Sequence, residues 1–238
     1  MTTTLQGKTV LVIGRGSGIA RAIALAAREA GAEVVVAGRD QKKLSAAYGE
    51  SGISAETVDV TDERSIAALA ERLGEVDHIV STASARARGL VGDLTPETIR
   101  LSFDTKVIGP IILAKHFKSR IREGGSLVLL SGSTAVRPVP GMLAVAATNG
   151  AADVAAKALA IELAPVRVNA VSPGTVDTGA YDALGDEKKA ALFADRSARN
   201  PARRIGSAED VAAAALFAMT NTFVTGATIP VDGGEPLV

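Results

Sequence analysis

The residues best suited to chemistry stand just after a short apolar run. Thr9 to Ile13 leads directly into Gly14-Arg15-Gly16-Ser17-Gly18-Ile19-Ala20, and an alanine-rich helical pattern begins there. Glycines at such a junction let the backbone turn tightly and approach a pyrophosphate, while the unsatisfied N–H groups of a helix start attract its charge. An ordinary strand-to-helix turn is the alternative, but a position closing the first strand of a βαβ unit favours phosphate. A second apolar run ends Val35-Val36-Ala37-Gly38-Arg39. A site selecting NAD offers the ribose hydroxyls an acid at that point. Gly38 offers none, whereas Arg39 is placed to pair with a 2′-phosphate, with Arg15 as a second cation. These residues predict NADP(H) as cofactor; the competing reading makes Arg39 a solvated loop charge weakened by Asp40.

Other reactive side chains are sparse. The chain has no cysteine, which excludes disulfides, thiolate catalysis and cysteine metal sites, and fits a cytoplasmic location. His78 and His116 have no metal-ligand spacing and read as structural or solvated, so no metal is expected. Arg86 and Arg88 follow the fourth apolar run and are placed to meet an anionic substrate, although solvated loop arginines are commoner. The basic run from Arg196 to Arg204 lacks interleaved aromatics for base stacking. Lys plus Arg equals Asp plus Glu at 26 each, so net charge suggests neither nucleic acid nor a membrane surface as partner, and a small molecule is expected.

The elements that must position these residues are legible as seven short apolar runs: Thr9 to Ile13, Glu33 to Ala37, Ser54 to Val58, Val76 to Val80, Ser126 to Leu130, Val166 to Ala170 and Thr228 to Val231. Near-continuous Val/Ile/Leu runs mark strands buried on both faces, and the intervals between most of them hold crossover helices. The expectation is an α/β fold, a Rossmann-type doubly wound parallel sheet of about seven strands with helices on both faces. In such a sheet the ligand crevice lies at the carboxyl ends of the strands, near the switch in strand order. Helical patterns run through about 18–30, 62–73, 97–122, 142–164 and 208–219, with Ser207 as N-cap of the last. The alanine-rich 142–164 segment suits close helix packing, within or between subunits, and a homo-oligomer, dimer or tetramer, is expected. The chain reads as one domain over 1–238, with the polar stretch at about 174–203 as a mobile flap. The start carries no signal-peptide pattern and no later stretch reads as a membrane span.

The glycine loop is Gly-x-x-x-Gly-x-Ala rather than the longer Gly-x-Gly-x-x-Gly fingerprint, and it resembles the Gly-x-x-x-Gly-x-Gly loop of short-chain dehydrogenases/reductases. Arg204-Ile205-Gly206, Glu209-Asp210-Val211 and the ending Val224-Thr225-Gly226 to Val231-Asp232-Gly233-Gly234 look like that family's last helix and strand, so the resemblance spans the chain. It implies that Asp59 and Val60 hold the adenine, although a helix N-cap at Thr61 is a competing use of that turn. It implies that Thr82 and Ala83 in Ser81-Thr82-Ala83-Ser84 line the cofactor. Pro173, Gly174, Val176 and Thr178 then hold the nicotinamide amide and supply hydroxyls near the pyrophosphate.

At the chemical end the pattern departs from the family. There a Tyr transfers a proton, a Lys lowers its pKa and holds the ribose, a Ser fixes the substrate oxygen and an Asn anchors a water relay. Here Val145 stands for the Tyr, Asn149 for the Lys, Gly132 for the Ser and Lys106 for the Asn. The Lys and Asn look exchanged, so Lys106 and Asn149 are both expected at the cofactor, with Lys106 placing an ammonium near the site and Ser131 or Ser133 as hydroxyl substitutes. A lysine running along a helix surface is the plainer alternative. Tyr181 is a further proton-donor candidate, although packing is its commoner use; Tyr48 lies toward the adenine side. Two functions follow: an NADP(H)-dependent oxidoreductase acting on a carbonyl or alcohol by an atypical proton route, or a catalytically silent NADP(H)-binding sensor or partner subunit.

Overall fold

The computed structural model describes residues 4–238; the first three residues of the expected domain, part of the segment read for a leader, lie outside the description. The expected apolar runs form β1 (Thr9–Ile13), β2 (Glu33–Gly38), β3 (Ser54–Thr57), β4 (Val76–Ser81), β5 (Ile121–Leu130), β6 (Arg167–Pro173) and β9 (Thr228–Val231). They make one seven-stranded sheet in the order β3-β2-β1-β4-β5-β6-β9, and every pairing is parallel. Alternation within each strand feeds two cores. Val10 and Val12 of β1 face one, with Val128 and Leu130 of β5; Leu11 and Ile13 face the other, with Leu127 and Leu129. Each such side chain contributes about 1.5–3 kcal/mol on burial. The first core is closed by α1 (Gly18–Glu29), α2 (Gln41–Tyr48) and α8 (Ala208–Thr220), and the second by α3 (Glu63–Leu73), α5 (Gly109–Phe117) and α6 (Leu143–Glu162). This is the doubly wound Rossmann-type architecture. Its order switches between β1 and β4, so the glycine loop after β1 and Ser81-Thr82 at the end of β4 flank the crevice.

Several boundaries differ from the sequence expectation. The helix expected over 97–122 is α4 (Pro96–Phe103), a π-helical turn over Asp104–Ile108 and α5, and it ends at Phe117. Pro110 has no N–H to donate to the Lys106 carbonyl, and the ladder widens there. Ile121 extended the apparent helical period, but it pairs with Val76 as the start of β5. Helix α2 was not expected; Asp40 caps it by accepting from Lys43 N at 3.0 Å. The cap of α3 is Asp62 rather than Thr61. The stretch expected as a mobile flap, for which no elements were assigned, contains β7 (Val176–Asp177), which pairs with β8 (Gly206–Ser207), and the 14-residue α7 (Asp186–Arg199). Helix α7 buries no residue fully, which is why its apolar periodicity was weak in the sequence. Ser207 caps α8 as expected, in a reciprocal box with Asp210.

Buried polar groups tie the sheet to its helices. His78 Nδ1 and Ser126 Oγ share a buried hydrogen bond of 2.9 Å, and burial pulls the His78 pKa down to about 4, so the ring is neutral. Buried Arg167 donates to Ala218 O and Met219 O, each at 2.6 Å, satisfying carbonyls at the end of α8 that have no intrahelical partner. Arg167→Met is expected to lower unfolding free energy by about 2–5 kcal/mol, since each orphaned buried acceptor costs about 1–3 kcal/mol. Urea denaturation measures this, and a midpoint matching wild type would show that solvent reaches those carbonyls.

Candidate active site

The nucleotide end is built from close approaches. A Cβ on Gly16 would lie 2.5 Å from the Ala47 Cβ, and one on Gly14 would lie 2.7 Å from the Ala20 Cβ, so both positions need glycine for the turn to sit on α1 and α2. Ser17 is the N-cap of α1 but makes no side-chain cap bond, leaving N–H groups of the first turn open to a ligand. Gly18 has φ +57, and its missing side chain lets Thr178 approach, with the Thr178 carbonyl 3.1 Å from an added Cβ. Two segments far apart in sequence, the glycine loop and the loop after β6, thus meet. Thr82 N and Oγ1 both donate to Ile13 O at 2.9 Å, locking the end of β4 onto β1 at the switch.

Arg39 is exposed at the end of β2, and Asp40 does not cancel it. The Asp40 carboxylate is committed to the α2 cap and to Lys43 Nζ at 3.3 Å. Asp59 accepts from Thr61 N at 2.9 Å and Thr61 Oγ1 at 2.7 Å. The Thr61 backbone bond is the main cause of its lowered pKa, against a contrary effect of burial, and Arg39 adds a smaller lowering that places the two groups near each other.

At the other end of the crevice the π-helical turn directs Lys106 inward. The residue is 8% exposed, and its Nζ donates to Ser131 O at 3.0 Å. Burial, then the like charge of Arg86, pulls the Lys106 pKa down to about 7, with a partial opposing effect from Asp153. Ser131 Oγ donates to Asn149 O at 3.1 Å, so that hydroxyl is engaged with α6. Asn149 is buried; its Nδ2 donates to Thr134 Oγ1 at 2.7 Å, and its Oδ1 has no partner among the described residues. A Cβ on Gly132 would stand 2.7 Å from Asn149 Nδ2. Asn149 therefore occupies the space a side chain at 132 would need, which couples those two positions. Gly132→Ser is expected to cost about 1–3 kcal/mol through overpacking. Combining it with Asn149→Ala should recover most of that loss in thermal or urea unfolding; an equally destabilised double variant would refute the coupling.

Comparison with known proteins accords with this geometry. A family model described as enoyl-(acyl carrier protein) reductase matches residues 13–235. Short-chain dehydrogenase/reductase ATR9 of Stachybotrys chlorohalonatus is 31% identical over 97% of this chain and 98% of that protein. The chain is a short-chain dehydrogenase/reductase. L-xylulose reductase of Mesocricetus auratus is 32% identical to it over 97% of each chain. A small-chain dehydrogenase solved in complex with NADPH is 31% identical, aligns over 98% of this chain and 100% of that one, and superposes with a TM-score of 0.85.

The loop after β6 in this short-chain dehydrogenase/reductase is held by a residue the sequence reading missed. Glu235 accepts from Thr175 N at 2.7 Å and Thr175 Oγ1 at 2.9 Å, and it pairs with Arg196 of α7 at 2.9 Å. It thereby fastens Pro173-Gly174-Thr175 and α7 to the chain terminus. The pair Gly233-Gly234, with φ of 63 and 80, turns the terminus back for this contact and was the available signal. Thr134 was missed as well, since nothing in a lone threonine marks it as the Asn149 partner. Ser133, half-buried at the start of a short 3₁₀ turn, stands beside Thr134. Val145 is buried. Tyr181 packs edge-on against Phe193 at 5.5 Å between ring centroids, in keeping with the packing alternative. Asp153 accepts from Thr228 Oγ1 at 3.1 Å.

Proposed function

We propose that this chain binds NADP(H) and transfers hydride between that cofactor and a small carbonyl or alcohol substrate, with Lys106 handling the proton. The observation that carries the reading is the buried Lys106 ammonium, which donates to Ser131 O at 3.0 Å and has a pKa near 7. The cradle at Gly14, Gly16 and Gly18, the open first turn of α1 and the uncancelled Arg39 fit a phosphorylated dinucleotide. The NADPH-bound relative and the curated reductases among its kin support the same cofactor and reaction class.

When bound, the reduced nicotinamide supplies the hydride. Gly14 to Ile19 and Arg15 receive the pyrophosphate, Arg39 the 2′-phosphate, and Asp59 and Val60 the adenine. Thr82, Ala83, Pro173, Gly174, Val176 and Thr178 flank the nicotinamide end. Lys106 holds a proton at Nζ for the substrate oxygen and is left neutral after giving it up, its hydrogen bond to Ser131 O fixing the amine in place. Solvent then returns the proton. A pKa near 7 suits this exchange, because a general acid works best when its pKa lies near the working pH. Reduction should slow as pH rises through about 7, the value at which Lys106 loses its proton.

The test is single-turnover mixing with NADPH and a carbonyl panel, following cofactor fluorescence and reduced-nicotinamide absorbance. Substrate-dependent oxidation supports the proposal. Binding without oxidation across the panel favours the second reading, an NADP(H) sensor or partner subunit. The observation behind that alternative is that Val145 has no proton to give and Ser131 Oγ is already tied to α6. Exposed Leu101, Ile108 and Ile111 on the α4–α5 segment, with Val154 and Ile161 on α6, support assembly with further copies of the chain, dimer or tetramer. Among the described residues no helix is long and apolar enough to cross a membrane.

A further inference from the structure

The loop leaving β4 carries a guanidinium that no carboxylate among the described residues pairs with. Its start is pinned where Thr82 meets Ile13 O, and its far end is pinned where Gly89 N donates to Gly141 O at 3.0 Å, just ahead of α6. Ala87 between these anchors is buried, so the loop is seated rather than free. Arg86 and Arg88 flank it, both exposed, at the switch in strand order. Among the described residues Arg86 makes no hydrogen bond or ion pair, whereas Arg122, Arg196 and Arg204 each meet a carboxylate.

The groups around Arg86 are mostly cations. Surrounding protein, then Arg88 and Arg15, lower its pKa, and Tyr181 opposes them; among the described residues no carboxylate acts on it. Arg86 is thus exposed by surface area and partly desolvated by the protein around it. Lys106 in turn feels Arg86 as a like charge. The acid that acts on Lys106, Asp153, already accepts from Thr228. Arg86 thus bridges the glycine-loop cation Arg15 and the proton-handling Lys106, and an anion entering there would relieve repulsion among all of them.

We infer that the substrate is a carboxylate-bearing oxo or hydroxy compound whose carboxylate is received by Arg86 beside Lys106. This rests on the oxidoreductase reading above. A planar guanidinium offers two parallel N–H donors to a carboxylate, which fixes the orientation of the substrate as well as its affinity. The link to Lys106, rather than to Arg15 alone, assigns the anion to the reacting end and not to the cofactor phosphates.

The experiment titrates a panel of 2- and 3-oxo acids, their methyl esters and matched oxo phosphonates into the NADPH-saturated protein by calorimetry. At least one acid should bind about 10-fold or more tightly than its ester. Arg86→Gln should erase that preference while NADPH affinity stays within about 3-fold, and the folded state of this exposed-site variant is checked by its thermal midpoint. Acids that never outbind their esters overturn the inference, and so do phosphonates that consistently outbind the acids. An Arg86→Gln protein that keeps the acid preference but loses NADPH affinity also overturns it and assigns Arg86 to the cofactor. Failure of the wild type to bind NADPH is read before any acid is added and overturns the oxidoreductase proposal itself.

Discussion

Lys106→Met should lower the rate of single-turnover NADPH oxidation by about 10²- to 10⁴-fold, the usual contribution of a positioned general acid. NADPH affinity should change by less than about 5-fold, because Lys106 touches Ser131 O rather than the glycine cradle. The wild-type reduction rate should fall as pH rises through about 7, and the residual rate of the variant should lose that dependence. Stability provides a readout independent of turnover. The folded pKa of Lys106, about 7, lies below the ordinary value of 10.5, so between those values the unfolded chain binds more protons than the folded one. Wild-type stability attributable to this group therefore rises from pH 7 toward pH 10 and is lost as pH falls back through that window. Lys106→Met should be flatter over the same range in urea unfolding at pH 7 and 9.5. Unchanged oxidation, together with an unchanged pH–stability slope, would place the ammonium in solvent and remove it from the proton route.

Arg39→Asp should weaken NADPH binding by about 10- to 10²-fold, as expected for loss of a charge-assisted pair and its replacement by repulsion. NADH binding should hold or improve, because the new carboxylate at the end of β2 is placed for the ribose hydroxyls that Gly38 leaves unmet. The prediction depends on Asp40 being engaged elsewhere, as its bonds to Lys43 require. Fluorescence titration with both cofactors decides it. An NADPH affinity within about 2-fold of wild type would make Arg39 a solvated charge and leave Arg15 as the candidate for the 2′-phosphate.

The seven apolar runs, the glycine loop and the cap at Ser207 were legible because each depends on local rules: alternation of buried faces, backbone freedom at a turn, and a side chain reaching its own helix start. These determined the sheet and the switch in its strand order, and they carried the expectation of where the cofactor sits. The same rules misjudged 97–122 and left the elements within 174–203 unassigned. Ile121 fits a helical period as well as a strand, and only pairing with Val76 decides between them. Helix α7 buries too little to show an apolar stripe, and it is held by Glu235 from the far end of the chain. The chemical end was legible only as a set of substitutions. That Asn149 fills the space beside Gly132, that the turn before Pro110 sends Lys106 to Ser131 O, and that Arg86 stands near both Arg15 and Lys106 were decided by the tertiary structure. Hydrophobic periodicity and turn chemistry are written in neighbouring residues, whereas desolvation and charge proximity arise only when distant segments pack, and those two effects set the acidity of Lys106.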